Sequence, residues 1–191
     1  AIARSNTNNG FDSTFNDGWG FYAESNTSGA YGPFTGGHDG LILKGVYVSQ
    51  GDIVCDTDTW WEAGVGESLT VNERSSVACS PRAVGVLVKR DTKSLDRLAA
   101  LRELPDSEIE ALEEKYDRIT FNSLGEGLLN VCGENGDIQG GDLIVTSNTP
   151  GKGMKQQDDV VRSCTVAKAR AGVSFSNPDE VKQVPCIYMC G

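Results

Sequence analysis

The chain has 191 residues, a formal net charge of -10 and a pI near 4.5. That balance argues against nucleic acid and anionic membrane as partners, because phosphate binding needs clustered Lys and Arg. Hydrophobic residues at 38% permit a core, whereas aromatics at 7% and 23 glycines suit turn-rich β structure better than a helical bundle, and no apolar stretch approaches the roughly 18 residues that cross a membrane.

Residues 1–40 are rich in Ser, Thr, Asn and Gly, with single aromatics at Phe11, Phe15, Trp19, Phe21, Tyr22, Tyr31 and Phe34. Few aliphatics accompany those rings, so an extended β stalk segment is expected here, intertwined with other subunits that complete its core. The chain opens on Ala1 and is expected to be a piece of a longer protein. The glycines of Gly36-Gly37-His38-Asp39-Gly40 place the joint between stalk and head, since they ease unusual backbone angles. From Leu41 to Val88 short apolar runs bounded by Gly, Asp and Ser predict strands at 41–43, 46–48, 53–55 and 84–88.

The stretch 94–116 breaks this pattern. Leu95, Leu98 and Leu101, then Ile109, Leu112 and Tyr116, recur at helical spacing. Two short amphipathic helices are expected, the first capped by Ser94 and the second opening at Pro105-Asp106-Ser107. They form a helical insertion over 93–118, lying on the surface as a hairpin, and Pro105 interrupts the repeat too early for a coiled coil. Strands resume from Gly127, at 128–132, 141–146, 165–169 and 184–189.

One unit is written twice. Val48-Ser49-Gln50 leads into Gly51-Asp52-Ile53-Val54-Cys55, and Ile138-Gln139-Gly140 leads into Gly141-Asp142-Leu143-Ile144-Val145. Each copy is followed by a polar loop and a second apolar run, Val84-Gly85-Val86-Leu87-Val88 and Cys164-Thr165-Val166-Ala167. Gly supplies the freedom of the turn and Asp can accept backbone amide hydrogens beside it. Two copies are too few for a solenoid. The fold expected is therefore mainly β, a duplicated β-module of barrel or β-clip type, with the short helical insertion, in a head spanning 41–191.

The chemistry-bearing residues are sparse. Of six cysteines, Cys55, Cys132, Cys164 and Cys186 sit in apolar runs, where a reduced thiol behaves as a small core hydrophobe. Cys186 and Cys190 are a single close pair and His38 is the one histidine, so no metal site and no cofactor is expected. Thr149-Pro150-Gly151-Lys152-Gly153 lacks the spacing of a phosphate-binding loop and predicts a tight turn, as do Asn9-Gly10 and Asn135-Gly136. Neither a Gly-x-Ser-x-Gly elbow nor a Ser-x-x-Lys is present. His38 and Asp39 lie in a polar segment of the kind that carries catalytic groups, yet neighbours on an extended strand point to opposite faces. Trp60-Trp61, beside Asp56, Asp58 and Glu62, supplies indoles that stack on sugar rings, with the condition that a strand turns one of them inward.

At Gly20-Phe21-Tyr22-Ala23-Glu24-Ser25, at Tyr31-Gly32-Pro33-Phe34 through Leu41, and at Val131-Cys132-Gly133-Glu134 through Gly141-Asp142-Leu143-Ile144-Val145-Thr146-Ser147 to Pro150-Gly151, the chain resembles the C-terminal region of bacteriophage tail fibre and tailspike proteins. The resemblance covers 20–55 and 127–170 and leaves out the helical insertion. It implies a homotrimeric virion component in the tail, assembled in the host cytoplasm, whose last domain drives trimer folding of the upstream fibre region. In some relatives that domain is an intramolecular chaperone that cleaves itself off. The Ser-Asp-x-Arg-Leu-Lys pattern of the serine–lysine type is absent, leaving a glutamic type with a carboxylate such as Glu24, and with His38 and Asp39 as further catalytic candidates. Host attachment through a surface polysaccharide at Trp60 and Trp61 is the third expectation.

Overall fold

A computed structural model describes residues 37–63, 67–92, 95 and 104–190. In chain order they form β1 (Gly37–Leu43), β2 (Ile53–Ala63), β3 (Glu67–Arg74), β4 (Ala83–Asp91), α1 (Asp106–Lys115), β5 (Tyr116–Asn122), β6 (Leu124–Cys132), β7 (Leu143–Thr146), β8 (Gly153–Lys155), β9 (Thr165–Ala169) and β10 (Val181–Met189). The molecule is mainly β, and its strands close into two barrels, β1-β3-β2-β4-β5 and β6-β8-β7-β9-β10.

The barrels are copies of one another. In each, the first and third strands pair parallel, as β1 with β3 and β6 with β8, and every other contact is antiparallel. The written repeat falls at the same place in both, at the turn that enters the second strand. Gly51 and Gly141 have φ of 86° and 99°, a left-handed conformation that costs a glycine nothing. The following Asp then accepts an amide hydrogen from three residues back, Ser49 to Asp52 at 3.1 Å and Gln139 to Asp142 at 2.8 Å. Even the ladder irregularity is duplicated: β2 slips against β4 between Val54 and Cys55, and β7 against β9 between Ile144 and Val145.

Several expectations need correction. The boundary drawn between residues 40 and 41 falls inside β1, whose Gly37–Gly40 portion pairs with 119–122 of β5, so the first barrel begins by Gly37. The insertion does not reach 118, because Tyr116, Asp117 and Arg118 open β5. Tyr116 stands four residues after Leu112, which mimics a helical stripe, while in the strand it shares a face with Arg118, Thr120 and Asn122, opposite Asp117, Ile119 and Phe121. Residues 46–48 are not a strand; they follow a turn at 44–45, closed by Val46 N–H donating to Leu43 O at 3.3 Å. β3 and β8 are strands the apolar runs did not mark, and the second barrel starts at Leu124 rather than Gly127. The first expected helix lies outside the described residues apart from Leu95, which is buried, as does the stalk at 1–36.

α1 starts where Pro105 requires, with Asp106 and Glu108 in its first turn and Lys115 in its last, all favourably placed in the helix dipole. It lies on the surface and packs Leu112 and part of Ile109 against Leu41, Leu69, Val71, Leu95 and Tyr116. The largest core cluster joins the barrels: Ile53, Cys55, Ala83 and Val86 of the first meet Leu129, Val131, Ile144, Val166, Ala167 and Val184 of the second.

All six cysteines are free thiols; Cys55, Cys132, Cys186 and Cys190 are buried, Cys164 is half-buried and Cys79 is exposed. Burial pushes the Cys186 and Cys190 thiols up to about 12, which leaves them inert as nucleophiles near neutral pH.

Because one apolar cluster spans both barrels, they should unfold together. Leu129→Ala, at a side chain with no exposed area, is expected to cost about 2–5 kcal/mol and to lower a single transition seen by both calorimetry and far-ultraviolet circular dichroism. Two separate transitions, one of them unmoved by the substitution, would contradict the shared core.

Candidate functional site

The predicted candidates do not converge. His38 is exposed on β1 and lies against the Phe121 ring at 5.8 Å between centroids. Asp39 faces the other way, bound by Arg118 Nη2 at 2.8 Å and by Thr120 Oγ1 at 3.1 Å. The pair therefore makes no dyad, as strand alternation requires. Glu24 lies outside the described residues. Trp60 and Trp61 divide as expected on β2: Trp60 is 57% exposed, while Trp61 turns inward and meets Tyr116 edge-on at 5.9 Å. Among the described residues no group of three or more His, Cys, Asp or Glu is arranged to hold a metal ion.

What the fold assembles instead is a polar junction between the barrels. Asp52 has no exposed area. Besides the Ser49 amide, its carboxylate accepts Asn130 Nδ2 of β6 at 2.7 Å and the ammonium of Lys152. Asn130 N–H donates to Gly51 O at 2.9 Å, Ile53 N–H to Gly151 O at 2.8 Å and Gly151 N–H to Ser75 O at 2.7 Å. A carboxylate so buried needs a cation and hydrogen bonds to remain charged, and every one except the Ser49 amide comes from the second barrel.

The Gly-rich turn at 149–153 is what delivers Lys152. Gly151 adopts φ 77°, and a Cβ there would stand 2.7 Å from the Asp52 carboxyl carbon, so only glycine lets the turn approach. The loop does neutralise an anion with its lysine, but the anion is the protein's own. In the second module the equivalent Asp142 is paired with Lys155 at 2.9 Å and stays partly exposed. The sequence signal for this junction was present in the repeated Gly-Asp and in the Lys of the turn; that they meet, a hundred positions apart, was not.

A second feature is apolar. On the outer face of the β6–β10 ladder, Pro185 stands opposite Leu128 and Met189 opposite Leu124. Leu124, Leu128 and Ile187 are 53%, 51% and 46% exposed, and Pro185 is exposed too, whereas Val184, Cys186 and Tyr188 face the core. An antiparallel wall that faces water normally alternates apolar inside with polar outside, and here Glu126, paired with Arg170, is the charged residue in the patch.

The chain matches no protein-family model, no curated protein and no solved structure.

Two outcomes follow from the junction and its surroundings. Lys152→Met strands a buried carboxylate and should cost about 3–5 kcal/mol, while Asp52→Asn with Lys152→Met should recover more than half of that loss in a denaturant double-mutant cycle. Additive losses would show the two groups uncoupled. As for pH, burial raises Asp142 but Lys155 and the Gln139 amide outweigh it and hold it low. Arg162 holds Asp158 low, the Phe175 amide Asp137, and the Ser176 amide Glu180. Carboxylates depressed in the folded state stabilise it above their unfolded values near about 4 and lose that contribution as pH falls through the folded ones. Tm should therefore hold steady down to about pH 5 and fall below about pH 4; a Tm that rises on acidification would reverse the sign.

Proposed function

We propose that the chain is the C-terminal trimerisation and folding domain of a bacteriophage tail fibre or tailspike, a structural component of the virion. The observation that carries this reading is the exposed apolar stripe Leu124, Leu128, Pro185 and Ile187 on the β6–β10 wall, which a subunit contact would cover. Beside it, Asp39 is engaged by Arg118, and the thiols of Cys186 and Cys190 are held protonated by burial. The resemblance of 20–55 and 127–170 to tail fibre termini supplies the biological setting, including the upstream fibre region as the segment whose assembly this domain drives.

Receptor binding is the second reading, favoured by Trp60. Its indole is exposed on the strand that carries Asp58, whose carboxylate pairs with Arg82 Nη2 at 2.8 Å, a combination of flat apolar ring and polar rim suited to a sugar. Self-cleavage rests on the resemblance alone.

Native mass spectrometry and light scattering at micromolar concentration test the first reading. The unaltered chain should be a trimer, and Leu128→Asp with Ile187→Asp should give monomers that keep the far-ultraviolet spectrum. A stable monomer of the unaltered chain would overturn it. On a glycan array, Trp60→Ala should abolish whatever binding the unaltered chain shows.

A further inference from the structure

The loop at 75–82 belongs to the first barrel but is fastened to the second. Cys79 N–H donates to Thr146 O at 3.0 Å, Ser80 N–H to Thr146 Oγ1 at 2.7 Å, and that hydroxyl donates to Val77 O at 2.8 Å. Ala78 N–H reaches Asn148 Oδ1 at 3.3 Å. Thr146 ends β7, and β7 runs antiparallel to β9 with Val145 opposite Thr165. Continuing that register sets Cys164 beside Thr146, the residue that holds Cys79. Ala78 and Cys164 also pack against one cluster, formed by Cys132, Val145 and Met154.

Cys79 has φ 54°, the left-handed region that a residue with a Cβ seldom adopts and where Gly or Asn is usual. The bond from Cys79 N–H to Thr146 and that from the neighbouring Ala78 to Asn148 hold the backbone there, which sets the direction of the Cys79 Cα–Cβ bond. Burial first, and then the adjoining Cys164 thiol, raise Cys79 above the ordinary cysteine value, with Asp158 and Glu134 adding to the rise. Arg162, bound to Asp158, is the cation that senses both thiols.

We propose that Cys79 and Cys164 are a modification site, a thiol pair that joins the two barrels covalently when the protein meets a small-molecule disulfide. Exposed Cys79 loses its proton, and its thiolate attacks one sulfur of the oxidant, expelling the first thiolate and leaving a mixed disulfide. Half-buried Cys164 then loses its proton and attacks Cys79 Sγ, expelling the second. Two electrons pass to the oxidant, which leaves as two thiols, and one S–S bond forms in the protein. The raised Cys79 makes the exchange slow at neutral pH and faster as pH rises.

The test is incubation of the full chain with oxidised glutathione, followed by alkylation in denaturant and tryptic mapping without reductant. Peptides 75–82 and 163–168 contain one cysteine each, so the expected product is unambiguous: those two peptides joined, with the other four of the six thiols alkylated. Tm should rise by about 5 °C or more and return when dithiothreitol is added. In Cys164→Ser the reaction should stop at a glutathione adduct on Cys79, with no rise in Tm. A lasting adduct on Cys79 of the unaltered chain, a bridge to any other cysteine or between chains, or six alkylated thiols would each overturn the proposal.

Discussion

The buried carboxylate of Asp52 is the constraint around which the two halves are arranged. Burying an ion costs several kcal/mol unless its partners are in place, and the partners of Asp52 come from β6 and from the turn before β8. The first barrel closes its entry turn with its own backbone bonds, Asp52 N–H to Ser49 O and Gly51 N–H to Leu87 O, but takes the cation for the carboxylate buried there from the second. Gly51 lends its carbonyl to Asn130, Gly151 lends its own to Ile53, and the apolar cluster of Ile53, Val86, Leu129 and Ile144 lies across the same seam. Electrostatics orients the barrels and hydrophobic burial holds them together, a division of labour in which the polar contact confers geometry more than stability.

Duplication makes that division visible. Both modules use Gly-Asp to enter the second strand, both slip register just past the second residue after the Asp, and both tether the Asp to the amide three residues back. They diverge in where the carboxylate ends up. Asp142 keeps its ion pair with Lys155 at the surface, within its own module, while Asp52 has lost all exposure and taken its cation from the other copy. A local turn element has become the fastening between repeats, and the loop at 75–82 with its grip on Thr146 is a second fastening on the same seam.

The outer surface is less even. Its exposed ion pairs, such as Arg82 with Asp58 and Arg162 with Asp158, contribute little to stability. The β6–β10 wall departs from this, setting Leu124, Leu128, Pro185 and Ile187 outward beside the core-facing Val184, Cys186 and Tyr188. Under the proposed function, a subunit contact would cover those residues.

Local signals in the sequence determined the β character, the doubled Gly-Asp turn, the tight turn around Gly151, the helix beginning after Pro105 and the inward-outward split of Trp60 and Trp61. Each of these depends on residues within a few positions of one another, on glycine's backbone freedom, on proline's missing amide or on strand alternation. Tertiary structure decided the rest. Tyr116 fits a helical stripe as well as a strand, and only pairing with Leu43 of β1 assigns it to β5. β8 is three residues long and exists because β6 and β7 flank it. Asp52 and Lys152 are a hundred positions apart, and nothing in their neighbourhoods marks one as the other's counterion. Barrel closure brings them together, because the ladder hydrogen bonds of each sheet and the apolar seam between them leave the carboxylate no water and one ammonium within reach.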